Sequence, residues 1–136
     1  MTDVLTVSQV AEHLTSLLRE DALLADVLVM GEISNPMLAG SGHFYFSLKD
    51  AGATLSCVMW RSAARTLAQT PSEGQRVIVH ARTDFYAPRG QVQLVVDALR
   101  READTDHAGA HELDGLGIGR VQEEHRRRVA GIELLA

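Results

Sequence analysis

Apolar and polar positions alternate with two different periods along this chain, and the change of period divides it. Over residues 8–19, Val10, Leu14, Leu17 and Leu18 recur at the spacing of one helix face, with Thr6 or Ser8 placed to cap the start. From residue 27 the period drops to two. Five runs read as strands: 27–34, 43–49, 54–60, 75–83 and 91–99. A loop holding Pro36, Gly40 and Gly42 leads into the second, and a tight turn at Asp50-Ala51-Gly52-Ala53 into the third. The fifth follows a hairpin around Pro88-Arg89-Gly90. Residues 61–68 are short and alanine-rich, fit for one or two helical turns, and stop at Pro71 and Gly74.

Three strands, a short helix and two more strands is the order of the OB-fold, a five-stranded, partly open Greek-key barrel. The expected fold class is therefore an all-β core of that kind. It carries an N-terminal helix, a short helix between the third and fourth strands, and a C-terminal tail. Residues 1–26 form the helical extension, 27–99 the OB-fold nucleic-acid-binding domain, and 100–119 a polar linker rich in Asp, Glu, His and Gly. Residues 120–136 read as a helical stub with Val121, Val129, Ile132 and Leu135 toward one side.

Alternation also assigns faces, because successive strand side chains point opposite ways. Phe44, Phe46 and Leu48 share an apolar face and are expected in the core. With them go Leu55, Cys57 and Met59, then Val77, Val79 and Ala81, then Val92, Leu94 and Val96. The outer face receives His43, Tyr45, Ser47 and Lys49, then Ser56, Val58 and Trp60, then Arg76, Ile78, His80 and Arg82. Rings beside cations suit a single-stranded nucleic acid, whose bases stack on aromatic faces while Lys and Arg hold its phosphates. The candidate binding set is Trp60, Arg61, Arg65, Tyr45, Lys49, His43, Arg82, Tyr86 and Arg89. Tyr86 and Arg89 flank a hairpin tip that OB-folds use for ligands. A competing expectation is that the helix at 8–19 lies over Tyr45 or Trp60 and makes them packing residues.

Composition sharpens this picture. With 136 residues, 46% of them hydrophobic, the chain suits one domain with its own core and a modest extension. A net charge of −5 argues against nucleic acid only until its distribution is drawn. Residues 1–26 carry −4 and residues 100–136 carry −2, while 27–99 hold six cations against five acids. Cys57 is the only cysteine, so no disulfide forms within the chain, and its core position makes it inert. No basic segment followed by an apolar stretch opens the chain. The most apolar stretch, 22–33, is broken by Asp26 and Glu32 and is too short to span a bilayer. A soluble, cytoplasmic protein with no membrane partner is expected.

Other chemistry is thin. His107 and His111 are four apart among acids, but Gly109 weakens a helix there and no third ligand is fixed. No metal and no cofactor is expected. The run from Gly115 to Gly119 lacks a preceding strand and a following Walker lysine. Neither a Ser/His/Asp nor a Cys/His arrangement is legible. Glu32 has no second carboxylate for acid–base work and is expected to meet a cross-strand Arg or Lys. Arg126, Arg127 and Arg128 beside Glu123 and Glu124 read as a solvated helix face.

The segments VLTVSQVAEHLTSLL, VLVMGEISN, SGHFYFSLKD, LSCVMWRSAAR and GQRVIVHARTDFYAPRGQVQLVVD follow in this order. Together they closely resemble the N-terminal OB-fold domain of the large subunit of exodeoxyribonuclease VII, over residues 4–99. The resemblance implies a module that delivers single-stranded DNA to a nuclease degrading it to oligonucleotides. It places the family's aromatic–arginine pair at Trp60-Arg61, with Trp where the family usually has Phe, and its hairpin motif at Tyr86, Pro88, Arg89 and Gly90. Residues 100–116 depart from the family, and residues 117–136 only faintly resemble its next helix. The family's hydrolytic region is not expected in this chain, so the chain alone is expected to be no enzyme. The family's small subunit is expected as a partner only where the later helical region is present. The function expected is a non-catalytic module that binds single-stranded DNA. The alternative is a protein-interaction or assembly module derived from it, without DNA binding.

Overall fold

The computed structural model describes residues 3–102. Helix α1 (Val7–Glu20) opens with a reciprocal cap. Thr6 Oγ1 accepts the Gln9 N–H at 3.1 Å, and Gln9 Oε1 accepts the Thr6 N–H at 2.8 Å. Thr6, and not Ser8, is thus the cap. Then come β1 (Val27–Leu38), β2 (Phe44–Lys49), β3 (Thr54–Met59), α2 (Arg61–Ala64), β4 (Arg76–Tyr86) and β5 (Gln91–Arg101). The strands close into a barrel in the order β1-β2-β3-β5-β4. Closure rests on a short parallel contact in which Ser56, Cys57 and Val58 face Gln93, Leu94 and Val95. Among the described residues no helix is long and apolar enough to cross a membrane. The expectations for residues 103–136, including the histidine pair, the glycine run and the arginine cluster, lie outside the described residues.

β1 runs four residues past its expected end. Pro36 reads as a strand stop, since it cannot donate to a ladder. Here the ladder with β2 shifts register between Ser34 and Met37, and the bulge absorbs the proline. Asn35 takes a positive φ of 51° at the bend, and its N–H is held by Glu73 Oε2 at 2.8 Å. The extended β1 therefore pairs with β4 through its first half and with β2 through its second. Glu32 stands at the crossover, opposite Lys49 on one side and Arg76 on the other. Arg76 pairs instead with Glu102, Nε to Oε2, at 2.8 Å.

The core follows the alternation in β2 and β4. Phe44, Phe46, Leu48, Val77, Val79 and Ala81 are buried, as are Ile33, Met59, Leu94 and Val96. The Phe44 and Phe46 rings stack with centroids 5.1 Å apart. Three positions depart. Leu55 and Val92, expected inside, sit near strand ends and are exposed. Val58, expected outside, is buried, flanked in register by Tyr45 on β2 and Val95 on β5.

His80 of β4 bridges Asp26, before β1, and Asp97 of β5. Its Nδ1 lies 2.7 Å from Asp97, and its Nε2 contacts Asp26. Burial works against the charged imidazole, but hydrogen bonds to both carboxylates, with their charges, outweigh it and raise the pKa above its ordinary value. A raised folded-state pKa gives a stabilisation that is complete below the unfolded value of about 6.5. It is lost as pH rises through the folded value. The urea midpoint is therefore expected to fall as pH rises above the unfolded value, and His80→Gln to flatten that fall. Identical pH profiles for the two chains would contradict the bridge.

Candidate nucleic-acid interface

A groove of about 520 Å³ crosses the outer face of β2 and β3 and ends at the tip of the β4–β5 hairpin. Each wall comes from a different element. β1, carried past its bulge, brings Asn35 and Met37; β2 brings Tyr45 and Ser47; β3 brings Ser56, and Trp60 follows at its end. Tyr86 and Arg89 come from the hairpin tip, Gln91 and Gln93 from β5. The tip is a 3-10 turn, Ala87–Arg89, closed by Gly90 in the left-handed region at φ 60°.

Tyr45, Trp60 and Tyr86 are 37%, 41% and 45% exposed, high for large rings and enough to offer a face. Helix α1 packs on β4 and the 3-10 turn. It makes no comparable contact with β2 or β3, the strands that carry Tyr45 and lead to Trp60, which overturns the expectation that it lies over Tyr45 or Trp60. A larger groove of about 620 Å³ beside α1 has no aromatic lining and sets Glu12 and Glu20 against Arg19, which suits bases and phosphates poorly.

The predicted residues divide by place. Tyr45, Trp60, Tyr86 and Arg89 line the groove together. His43 stands behind two of the rings, its centroid 5.1 Å from Trp60 and 6.5 Å from Tyr45, edge-on to both. Arg61 starts α2 directly after Trp60, and Arg65 caps the other end of that helix. Lys49 lies at the opposite end of β2, about 13 Å along the strand from Tyr45. There it faces Glu32 and Thr54. Arg82 is on β4 opposite Val95, with Nη1 3.4 Å from Asp84 Oδ2. The fold thus gathers the three rings and Arg89, keeps His43 and Arg61 adjacent, and leaves Lys49, Arg65 and Arg82 outside the groove. Among the described residues neither Arg61 nor Arg89 pairs with a carboxylate.

Met37, Gln91 and Gln93 join the lining without having been singled out. Period-two alternation from Leu94 puts both glutamines outside, so that signal is present in the sequence. Gln91 Nε2 donates to Ser56 Oγ at 2.8 Å, tying β5 to β3 within the groove lining. Met37 carries no such signal, because Pro36 hides the second half of β1. Cys57 borders the groove but is buried, and burial pushes its thiol up to about 12, offset only in part by a backbone hydrogen bond at Leu48. It is a packing residue, not a nucleophile.

Comparison with known proteins agrees with the fold. A family profile described as an OB-fold nucleic acid binding domain matches residues 5–100. The exodeoxyribonuclease 7 large subunit of Geotalea uraniireducens is 45% identical over 96 residues, covering 71% of this chain and 21% of that protein. The subunit of the same name from Ralstonia nicotianae is 39% identical over 130 residues, covering 96% of this chain and 26% of that protein. The chain thus spans about a quarter of the length of these relatives. The alignment with the Ralstonia protein runs past residue 99, over residues expected to depart from the family or to resemble it only faintly. Among solved structures, the S. pombe Stn1-ten1 complex aligns with a TM-score of 0.52 at 17% identity, covering 79% of this chain and 74% of that one. That likeness is one of fold.

Proposed function

The chain belongs to the family of OB-fold nucleic acid binding domains, and from that premise we propose that residues 27–99 are a platform for single-stranded DNA. The observation that carries this is the convergence of Tyr45, Trp60 and Tyr86, from three separate elements, on one groove with Arg89 at its end. That groove occupies the face and hairpin by which OB-folds take oligonucleotides. Ser47, Ser56, Gln91 and Gln93 add polar, uncharged side chains to its lining. Bases stack on the rings, while Arg61 and Arg89 meet phosphates at the rim. Lys49, Arg65 and Arg82 lie away from this path.

The name shared by the relatives supports DNA as the ligand and an exodeoxyribonuclease VII large subunit as the setting. In this reading the module is non-catalytic and presents a strand that other parts of such a subunit hydrolyse. The small subunit joins only where the family's later helical region is present. The setting is cytoplasmic.

Salt dependence tests the reading. With two cations on phosphates, the logarithm of affinity for a labelled oligothymidine should fall with the logarithm of salt at a slope of about −1.4. Saturable binding with that shallow slope supports the groove. A slope steeper than about −4 would require a broad cationic tract that the groove lacks.

A second reading, an assembly module without DNA binding, draws on α1. Val10, Leu14 and Leu17 make its apolar stripe and remain exposed. Sedimentation separates the two: a stable oligomer that does not bind oligothymidine favours assembly.

A further inference from the structure

His43 stands beside the groove, against Trp60 and Tyr45, and one of its ring nitrogens is already engaged. Its Nδ1 accepts the backbone N–H of Arg61 at 2.9 Å. That N–H opens α2, where no intrahelical acceptor exists. The Trp60 side chain, at the cap position, makes no capping bond. His43 supplies the missing acceptor from another element. An accepting Nδ1 leaves the proton of the neutral ring on Nε2. The same ring stands at 81° to the planes of both Trp60 and Tyr45.

The neighbouring glycine completes the contact. Gly42 has φ 93°, and a Cβ there would lie 2.9 Å from Arg61 Cγ, so the arginine stem rests directly against it. The loop holding this pair is itself closed: Gly42 N–H donates to Ala39 O, and Ala39 N–H donates to His43 O, each at 2.9 Å.

We infer that His43 is a positioning residue that latches the β1–β2 loop to the β3–α2 junction, fixing the Trp60 ring and the root of Arg61 for an incoming strand. The inference rests on the platform reading for its purpose, and on the geometry alone for the latch.

Nitrogen NMR on the unaltered chain, with the imidazole in its neutral form, is expected to show His43 as the Nε2–H tautomer. In DNA-free His43→Leu, Trp60 fluorescence anisotropy should fall because the ring loses its edge contact and the junction its hydrogen bond. Affinity for a labelled oligothymidine should drop roughly three- to tenfold, the size of one lost hydrogen bond. His43→Asn, whose Oδ1 can accept the same N–H, should recover most of that affinity. An Nδ1–H tautomer would overturn the latch, and so would unchanged Trp60 anisotropy in folded His43→Leu. If His43→Leu does not fold, the tautomer of the unaltered chain decides. If no chain, unaltered or variant, binds oligothymidine, the platform reading fails while the tautomer and the anisotropy still judge the latch.

Discussion

Replacing Trp60 and Arg61 together by alanine is expected to weaken binding of a short oligothymidine at least tenfold. A base stacked on an aromatic ring contributes about 1–3 kcal/mol, and each 1.4 kcal/mol or so is a factor of ten. The loss of Trp60 alone brings the effect close to that factor, and loss of the Arg61 phosphate contact carries it past. Stability should change little. Both side chains are exposed, and the bonds that Trp60 gives α2 run from its carbonyl to the N–H groups of Ala63 and Ala64, which alanine keeps. Anisotropy of a labelled strand reads the affinity and thermal melting confirms the fold. A well-folded double variant that binds with unchanged affinity would remove these residues from the site.

Phe44→Ala is expected to show the opposite signature. Phe44 is 1% exposed and stacks on Phe46 inside the barrel. Truncating a buried phenylalanine removes its transfer energy and leaves a cavity, at a cost of about 3–5 kcal/mol. Domains of this size are stable by about 5–15 kcal/mol, so the variant should unfold at much lower urea with an unchanged slope. Tyr45→Ala, one residue along, should cost little stability and weaken DNA binding instead. Adjacent rings on opposite faces would then separate folding from function within a single strand. A Phe44→Ala cost under about 1 kcal/mol would contradict the packing.

That separation is legible in the sequence itself, because strict alternation in residues 43–49 leaves only one way to bury three apolar side chains. The turn at Asp50 is equally plain: its Oδ1 accepts the N–H groups of Gly52 and Ala53, as an Asp-x-Gly sequence invites. Fold order follows from counting strands around one short helix. The site is legible only in part. Alternation reveals which face a residue takes, not which strand lies beside it. Lys49 shares Tyr45's face but stands at the other end of β2, and Arg82 is carried to β4 beyond β3 and β5. Where α1 docks is a tertiary choice that its own periodicity does not encode. Val58 reads as outward but is buried, in register between Tyr45 and Val95. Pro36 conceals the stretch of β1 that brings Met37 to the groove, because a local breaker signal gives no notice that a bulge will absorb it.

Trp60 is the only tryptophan, so its fluorescence reports on the groove itself. Titration with a short oligothymidine at low and high salt tests the central claim most directly. Quenching that saturates and weakens moderately at high salt is the predicted result, from stacking beside a few phosphate contacts. Unchanged emission in both salts, with no rise in the anisotropy of a labelled strand, would contradict the claim that this face binds single-stranded DNA.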